Sequence, residues 1–146
     1  MTLPQHFKKL AESQNYIVGH IFESGYIINK RNGKQSHIGD SYGDPTFGLI
    51  DRKENWALLL GHGSYLWTAD KIKNVSTEFF ASEKLFENPF DAKQINDIEV
   101  EILEDPWSDN PCIFNLNIQT NVIKKVRTFK KLDIPYEDSD KLKLSW

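Results

Sequence analysis

Short apolar stretches, spaced about ten residues apart and separated by turn residues, limit the possible folds of this chain more than any other feature. Two such stretches, 16–22 and 25–30, are rich in β-branched and aromatic residues. The residues between them predict a β-hairpin, and Asn32-Gly33 supplies the next turn signal. A chain organised in this way is expected to be built mainly from strands.

The pattern of strands and turns continues beyond residue 40. Gly43 permits a positive φ, and Pro45 keeps the residue before it out of the helical region, so we expect a loop over 41–46. Paired strands are predicted at 47–51 and 56–61, and the turn at 61–63 leads into a further strand at 64–68.

The second half of the chain carries the clearest strand periodicity. Residues 98–102 alternate strictly between β-branched and acidic side chains, and residues 114–118 alternate between apolar side chains and asparagine. A last strand is predicted at 122–129. The connections are too short for crossover helices, so we expect antiparallel pairing in a meander.

Two short segments are predicted to be helical. In Pro4–Gln14, Phe7, Leu10 and Ala11 follow helical spacing behind a proline suited to a first turn. The other segment is Ala81–Glu87. The predicted fold class is therefore α+β and mainly β, with an antiparallel meander sheet or partly closed barrel and one or two short helices. No internal repeat with a period of 20 to 50 residues and no linker is evident, which predicts one domain over residues 1–146.

Composition excludes several classes of function. The net charge of −3 and the pI of about 5.8 make a broad phosphate-binding face unexpected, so no direct nucleic-acid partner is predicted. No stretch resembles a signal peptide or reaches the roughly 20 apolar residues of a membrane span. The single cysteine, Cys112, cannot form an internal disulfide. We therefore expect a cytoplasmic protein without membrane contact; the sequence does not indicate its oligomeric state.

Few side chains suggest catalysis or metal binding. The four histidines, His6, His20, His37 and His62, lack zinc-ligand spacing, so no metal and no cofactor are predicted. His62 and Ser64 form a possible base and nucleophile, although glycines flank His62 as they would in a simple turn. Cys112 is a possible thiol nucleophile or a small buried hydrophobe.

Charge is segregated along the second half of the chain. No lysine or arginine occurs between Lys93 and Lys124, whereas five follow from Lys124 to Lys131. One interpretation is that neighbouring strands attract each other through their solvent faces. The other is an acidic surface with an aromatic anchor that guides a basic partner. The predicted partner-binding residues of that surface are Glu99, Glu101, Glu104, Asp105, Trp107 and Asp109.

Part of the sequence resembles a known class of bacterial proteins. Ser41-Tyr42-Gly43-Asp44-Pro45-Thr46-Phe47-Gly48-Leu49-Ile50-Asp51 and Asn55-Trp56-Ala57-Leu58-Leu59-Leu60-Gly61 resemble segments of small immunity proteins from contact-dependent inhibition and other polymorphic toxin systems. The resemblance implies a cytoplasmic protein that covers the active site or substrate path of a cognate toxin domain. It carries over no catalytic residues. Such toxins are often nucleases with basic clefts, which an acidic protein can occupy.

Two other functions remain open at this point. A small hydrolase-like enzyme would use His62 with Ser64, or Cys112, together with a carboxylate. A ligand-binding β-barrel would line its pocket with the abundant aromatic rings. Neutralisation of a toxin domain with a basic surface, without catalysis, is the predicted function.

Overall fold

The computed structural model describes residues 2–69, 71–75, 88–133 and 146. Twelve β-strands in this part of the chain form three four-stranded sheets, and each sheet is an antiparallel meander with its strands in chain order. Sheet 1 contains β1 (Phe7–Glu12), β2 (Tyr16–Ile21), β3 (Ser24–Asn29) and β4 (Gln35–Asp40). Sheet 2 contains β5 (Phe47–Ile50), β6 (Trp56–Leu60), β7 (Tyr65–Thr68) and β8 (Ile72–Asn74). Sheet 3 contains β9 (Pro89–Gln94), β10 (Glu99–Glu104), β11 (Cys112–Asn117) and β12 (Val122–Thr128).

Sheet 2 is the middle layer, and its second strand is buried along its whole length. Because successive side chains of a strand point to opposite faces, β6 contributes side chains to two hydrophobic cores. Ala57 and Leu59 pack with side chains of sheet 1. Trp56, Leu58 and Leu60 instead pack with side chains of sheet 3. The continuous apolar run of β6 is thus explained by burial on both faces.

The first strands of the three sheets lie side by side, with β5 in contact with both β1 and β9. Face-to-face packing of consecutive four-stranded meanders, each beginning next to the first strand of its neighbour, is the arrangement of successive blades in a β-propeller. The three sheets begin at Phe7, Phe47 and Pro89, which are 40 and 42 residues apart. This structural repeat was not evident in the sequence. Each sheet must bury apolar faces, but many different apolar residues can do so. The three segments therefore need not resemble one another in sequence.

The predicted N-terminal helix in Pro4–Gln14 is wrong, because β1 occupies this segment. A β-bulge between Lys9 and Ala11 interrupts the pairing of β1 with β2. The bulge allows two consecutive residues, Leu10 and Ala11, to pack against the same core. It therefore produces apolar spacing that imitates a helix in the sequence. The Phe7 ring lies against Gly19 of the neighbouring strand. A Cβ atom on residue 19 would be 2.5 Å from that ring.

Most of the other structural predictions are confirmed. The hairpin of β2 and β3, the pair of β5 and β6, and the meander of β10 to β12 are all present with antiparallel pairing. The strands of the described residues divide among three sheets and do not form the single meander sheet or partly closed barrel that the sequence predicts. No helix occurs in the residues that the structure describes, and the predicted helix at 81–87 lies outside them. Mainly β architecture is thus established.

The strands define two ends of the molecule. The upper end contains the β2–β3 turn, the loops 41–46, 61–64 and 105–111, and the residues before β1. The lower end contains the other turns, including 13–15, 51–55 and 95–98. Backbone bonds support this assignment: Tyr42 donates to the carbonyl of His62, and Asp105 donates to that of Asn88, all at the upper end.

Polar side chains join sheets 2 and 3 at the lower end. Asp51, only 1% exposed, accepts hydrogen bonds from Gln94 Nε2 of sheet 3 at 2.7 Å and from the Asn55 N–H at 3.0 Å. Trp56 Nε1 donates to the carbonyl of Asp97 at 3.0 Å. Three residues in the segments that resemble immunity proteins, Asp51, Asn55 and Trp56, thus have structural roles here.

Candidate binding surface at the upper end

Two large aromatic side chains are exposed on adjacent loops of the upper end. Phe22, in the β2–β3 turn, is 65% exposed, and Tyr42, in the loop after β4, is 83% exposed. Each ring contacts a histidine: the centroids of Phe22 and His6 are 5.4 Å apart, and those of Tyr42 and His62 are 5.5 Å apart. Aromatic rings exposed in this way are typical anchors of protein interfaces.

The backbone of the upper end also departs from ordinary geometry. His6, Phe22 and Asp105 have φ values of 65°, 49° and 48°, and Glu54 and Asn121 in turns of the lower end have values of 62° and 57°, so this geometry is not confined to the upper end. Side chains other than glycine enter this left-handed region at an energetic cost. Strained backbone of this kind is found where the surrounding structure fixes it, often at binding sites. The turn geometry of Phe22 is therefore consistent with a defined position for its exposed ring.

Hydrogen bonds hold the aromatic loops together. The Ser41 N–H donates to the carbonyl of Glu23 at 2.9 Å, and the Gly43 N–H donates to the Glu23 carboxylate at 2.7 Å. The Ser41 hydroxyl also donates to the carbonyl of Gly63 at 3.0 Å. Three loops of sheets 1 and 2 thus form one connected surface, on which Asp44 presents an exposed carboxylate.

A pocket of about 460 Å³ opens beside this surface at the top of sheet 1. Its lining residues are His6, Phe7, Lys8, His20, Phe22 and Asp44. His20 is only 4% exposed, and its Nδ1 lies 2.8 Å from the carbonyl oxygen of Phe22. Because a carbonyl can only accept, Nδ1 carries the hydrogen. The volume is within the usual range for small-ligand sites.

The six predicted partner-binding residues do not form one surface. Asp105, Trp107 and Asp109 belong to the 105–111 loop of the upper end, where Asp109 is exposed. Trp107 packs edge-on against Phe90, with centroids 4.9 Å apart. Glu99 and Glu101 lie further down β10, and the rise of five residue steps along the strand separates Glu99 from Glu104 by roughly 17 Å.

Glu104 is placed differently from the exposed acids. It is 8% exposed, and its Oε1 accepts a hydrogen bond from the Asn88 N–H at 2.9 Å. This carboxylate therefore supports the start of β9 and offers little surface to a partner. Its burial does not support the predicted role of Glu104 as a contact residue.

Several of the other acids are paired within the molecule. Arg127 of β12 makes two parallel hydrogen bonds of 2.9 Å to the Glu101 carboxylate, which lower the pKa of Glu101. Lys131 similarly lowers the pKa of Asp109 through a 2.9 Å hydrogen bond. Hydrogen bonds from Asn96 and Asn115 lower the pKa of Glu99. Charge segregation along the sequence thus corresponds in part to attraction between solvent faces of one sheet, but the paired strands β10 and β12 lie on either side of β11 and are not neighbours as the first interpretation expects.

The candidate catalytic residues are held in structural arrangements. The Ser64 hydroxyl is buried, donates to the Gly61 carbonyl at 3.1 Å and accepts from the Gly61 N–H at 3.2 Å. His62 is exposed and contacts Tyr42. Cys112 is half-buried against the core shared by sheets 2 and 3, and its Sγ donates to the carbonyl of Asn110 at 3.2 Å. These contacts match a glycine-flanked turn and a packed small side chain.

Two further properties concern only the residues that the structure describes. None of their histidine, cysteine, aspartate and glutamate side chains come together in a group of three or more that could hold a metal ion. No helix in those residues is long and apolar enough to cross a membrane.

Few sequence features point to the residues that dominate the upper end. The sequence predicts Phe22 as the last residue of a strand and Tyr42 and Asp44 as part of a loop, and His20 is one of four histidines without metal-ligand spacing. A large aromatic residue inside a turn was the available signal, because a ring at the tip of a tight turn has little core to pack against. No sequence signal places His20 beside Asp44, since a loop from the far side of sheet 1 brings them together.

Comparisons with known proteins give structural likeness alone. No family model and no curated protein matches the chain. A chain of the solved nidogen/laminin complex is similar over 77% of this chain and 43% of its own length, at 13% identity and a TM-score of 0.50. An auxiliary nutrient binding protein from Bacteroides thetaiotaomicron is similar over 86% of this chain and 30% of its own length, at 11% identity and a TM-score of 0.52. This chain thus spans less than half the length of either structure, and identities this low show the fold alone.

Proposed function

We propose that this protein acts by binding a partner protein at its upper end, in the manner of an immunity protein that covers the active site or substrate path of a toxin domain. The observation that carries the proposal is the pair of exposed rings, Phe22 and Tyr42, on loops that hydrogen bonds hold together. Tyr42 also belongs to the segment that resembles immunity proteins. The proposal includes a cytoplasmic location, where the toxin would act.

Charge at the upper end favours a basic partner. Asp44 is exposed there and takes part in no ion pair among the described residues, Asp105 is half-exposed, and Asp109 is exposed but paired with Lys131. Complementary charge speeds encounter and fixes the orientation of a complex, whereas buried rings supply most of the affinity. A toxin with a basic substrate cleft, such as a nuclease, has the matching chemistry. Of the predicted acidic contact residues, the proposed surface keeps only those of the 105–111 loop. It also includes the aromatic loops of sheets 1 and 2.

The test is co-expression of this chain with the toxin encoded next to it, scored by growth and by the dissociation constant of the purified pair. We expect protection by the native chain. Tyr42→Ala should weaken the complex at least about tenfold, as truncation of an interface anchor does. The matched control is Ile95→Ala, because Ile95 is also a large apolar side chain, 45% exposed, but lies at the lower end.

Two outcomes would contradict the proposal. Failure of the native chain to protect and to form a complex would remove the immunity function. A complex that Ile95→Ala weakens as much as Tyr42→Ala would show that the upper end is not the contact surface.

A further inference from the structure

We infer that the pocket at the top of sheet 1 binds a small zwitterionic ligand of the α-amino-acid type with an apolar or aromatic side chain. The inference rests on three features of the pocket: one nitrogen of a largely buried imidazole that is available to a ligand, two opposite charges at its edge, and aromatic walls. It does not depend on the proposed partner protein.

The buried imidazole is that of His20. Its Nδ1–H is donated to the carbonyl of Phe22, so Nε2 of the neutral ring carries a lone pair. Within the described part of the chain Nε2 has no hydrogen-bond partner, and His20 lines the pocket. Nε2 is therefore an acceptor that a ligand in the pocket can reach, and a ligand that donates a hydrogen bond would bind it.

The edge of the pocket carries Lys8 and Asp44, both exposed. Neither takes part in an ion pair among the residues that the structure describes. Lys8 is the register partner of His20 on the neighbouring strand, so the two side chains leave the sheet on the same face. Asp44 approaches from the loop after β4. An ammonium and a carboxylate on one pocket suit a ligand that carries the opposite pair of charges.

The remaining surface of the pocket is aromatic. Phe7, Phe22 and the His6 ring line it, and His6 is in contact with Phe22. In the arrangement we infer, the ligand carboxylate meets Lys8, and its ammonium donates to His20 Nε2 and Asp44. The ligand side chain then packs on the phenylalanine rings, where burial of apolar area adds to the binding free energy.

The experiment is an NMR titration of the full chain with L-phenylalanine, observed through the imidazole nitrogen shifts of His20 and supported by calorimetry. We expect saturable binding that moves the Nε2 resonance. Phenethylamine lacks the carboxylate and phenylpropanoate lacks the ammonium. Each should bind at least about tenfold more weakly, since each loses one charge-assisted contact.

Variants test each contact separately. His20→Asn keeps a donor for the Phe22 carbonyl through Nδ2 but removes the Nε2 acceptor, so it should lose ligand binding while remaining folded. Lys8→Met and Asp44→Asn should each weaken binding at least about tenfold. His37→Asn is the matched control, because His37 is an exposed histidine of β4 outside the pocket and should leave binding unchanged.

Three results would overturn the inference. The first is the absence of a His20 shift with L-phenylalanine, L-leucine and L-tryptophan at millimolar concentration. The second is equal binding of phenethylamine or phenylpropanoate, and the third is full binding by His20→Asn. The titration needs only the native chain, so it can refute the inference even if a variant fails to fold. Tyr42 does not line the pocket, so failure here leaves the test of the partner protein unaffected.

Discussion

Asp51 is expected to be one of the most important polar residues for stability, and replacing it tests how the lower end holds sheets 2 and 3 together. Asp51→Ala removes the acceptor of two hydrogen bonds, from Gln94 Nε2 and from the Asn55 N–H. A hydrogen bond to a charged group contributes about 1.5–3 kcal/mol. The loss is smaller than the sum of two such bonds, because Gln94 Nε2 keeps a bond to the Asn96 carbonyl and Asn55 is exposed to water. We expect the free energy of unfolding to fall by about 2–3 kcal/mol.

Asp51→Asn is expected to remove one of the two hydrogen bonds that Asp51 accepts and to keep the other. Its side-chain oxygen can still accept from one donor, but its amide meets the other donor and cannot accept. We therefore expect about half of the loss. Urea unfolding followed by tryptophan fluorescence measures both variants. With a slope of about 1–3 kcal/mol per molar urea, Asp51→Ala should lower the midpoint by roughly 0.7 to 3 M.

The matched control is Asp109→Ala, which removes an exposed carboxylate and its ion pair with Lys131. Its midpoint should stay near that of the native chain, since surface ion pairs contribute little. If Asp51→Ala shifts the midpoint no more than Asp109→Ala does, at an unchanged slope, the buried carboxylate does not stabilise the contact between sheets 2 and 3.

Two further predictions concern packing and pH. Gly39→Ala should lower the free energy of unfolding by about 1–3 kcal/mol in the same urea assay, because the added Cβ would lie 2.5 Å from the Tyr65 ring; an unchanged midpoint would show that the ring moves aside freely. Hydrogen bonds from Lys30 and Lys9 lower the pKa of Glu12 from 4.5 to about 2. A lowered pKa means that this contribution to stability is complete above pH 4.5 and is lost as the pH falls toward 2. The urea midpoint of the native chain should thus fall more steeply with acid than that of Glu12→Gln, and equal slopes would contradict a role for these ion pairs.

Residue patterns determined most of the strands. Alternation at 98–102 and 114–118 predicted β10 and β11, and turn residues predicted the β2–β3 hairpin, because side-chain periodicity and local φ preferences act within a few residues. The same local information failed at β1. There a bulge places Leu10 and Ala11 on one side, and the resulting spacing imitates a helix.

The candidate binding surface depended on contacts that local patterns do not contain. The acidic side chains of 99–109 were visible in the sequence, but only the structure showed that Glu104 is buried and that Arg127 pairs with Glu101. Whether a charge is free or paired depends on residues far away in the chain. The sequence does not show which of these residues lie close together in the fold.

Periodicity, β-branched residues and turn chemistry are local properties, and they are enough to predict that this chain forms short antiparallel strands. Only contacts between residues far apart in the chain divide those strands into three stacked sheets. Such contacts also bring Phe22, Tyr42, His20 and Asp44 to one end. Both facts follow from which apolar faces pack together, and packing between sheets depends on shape over the whole molecule.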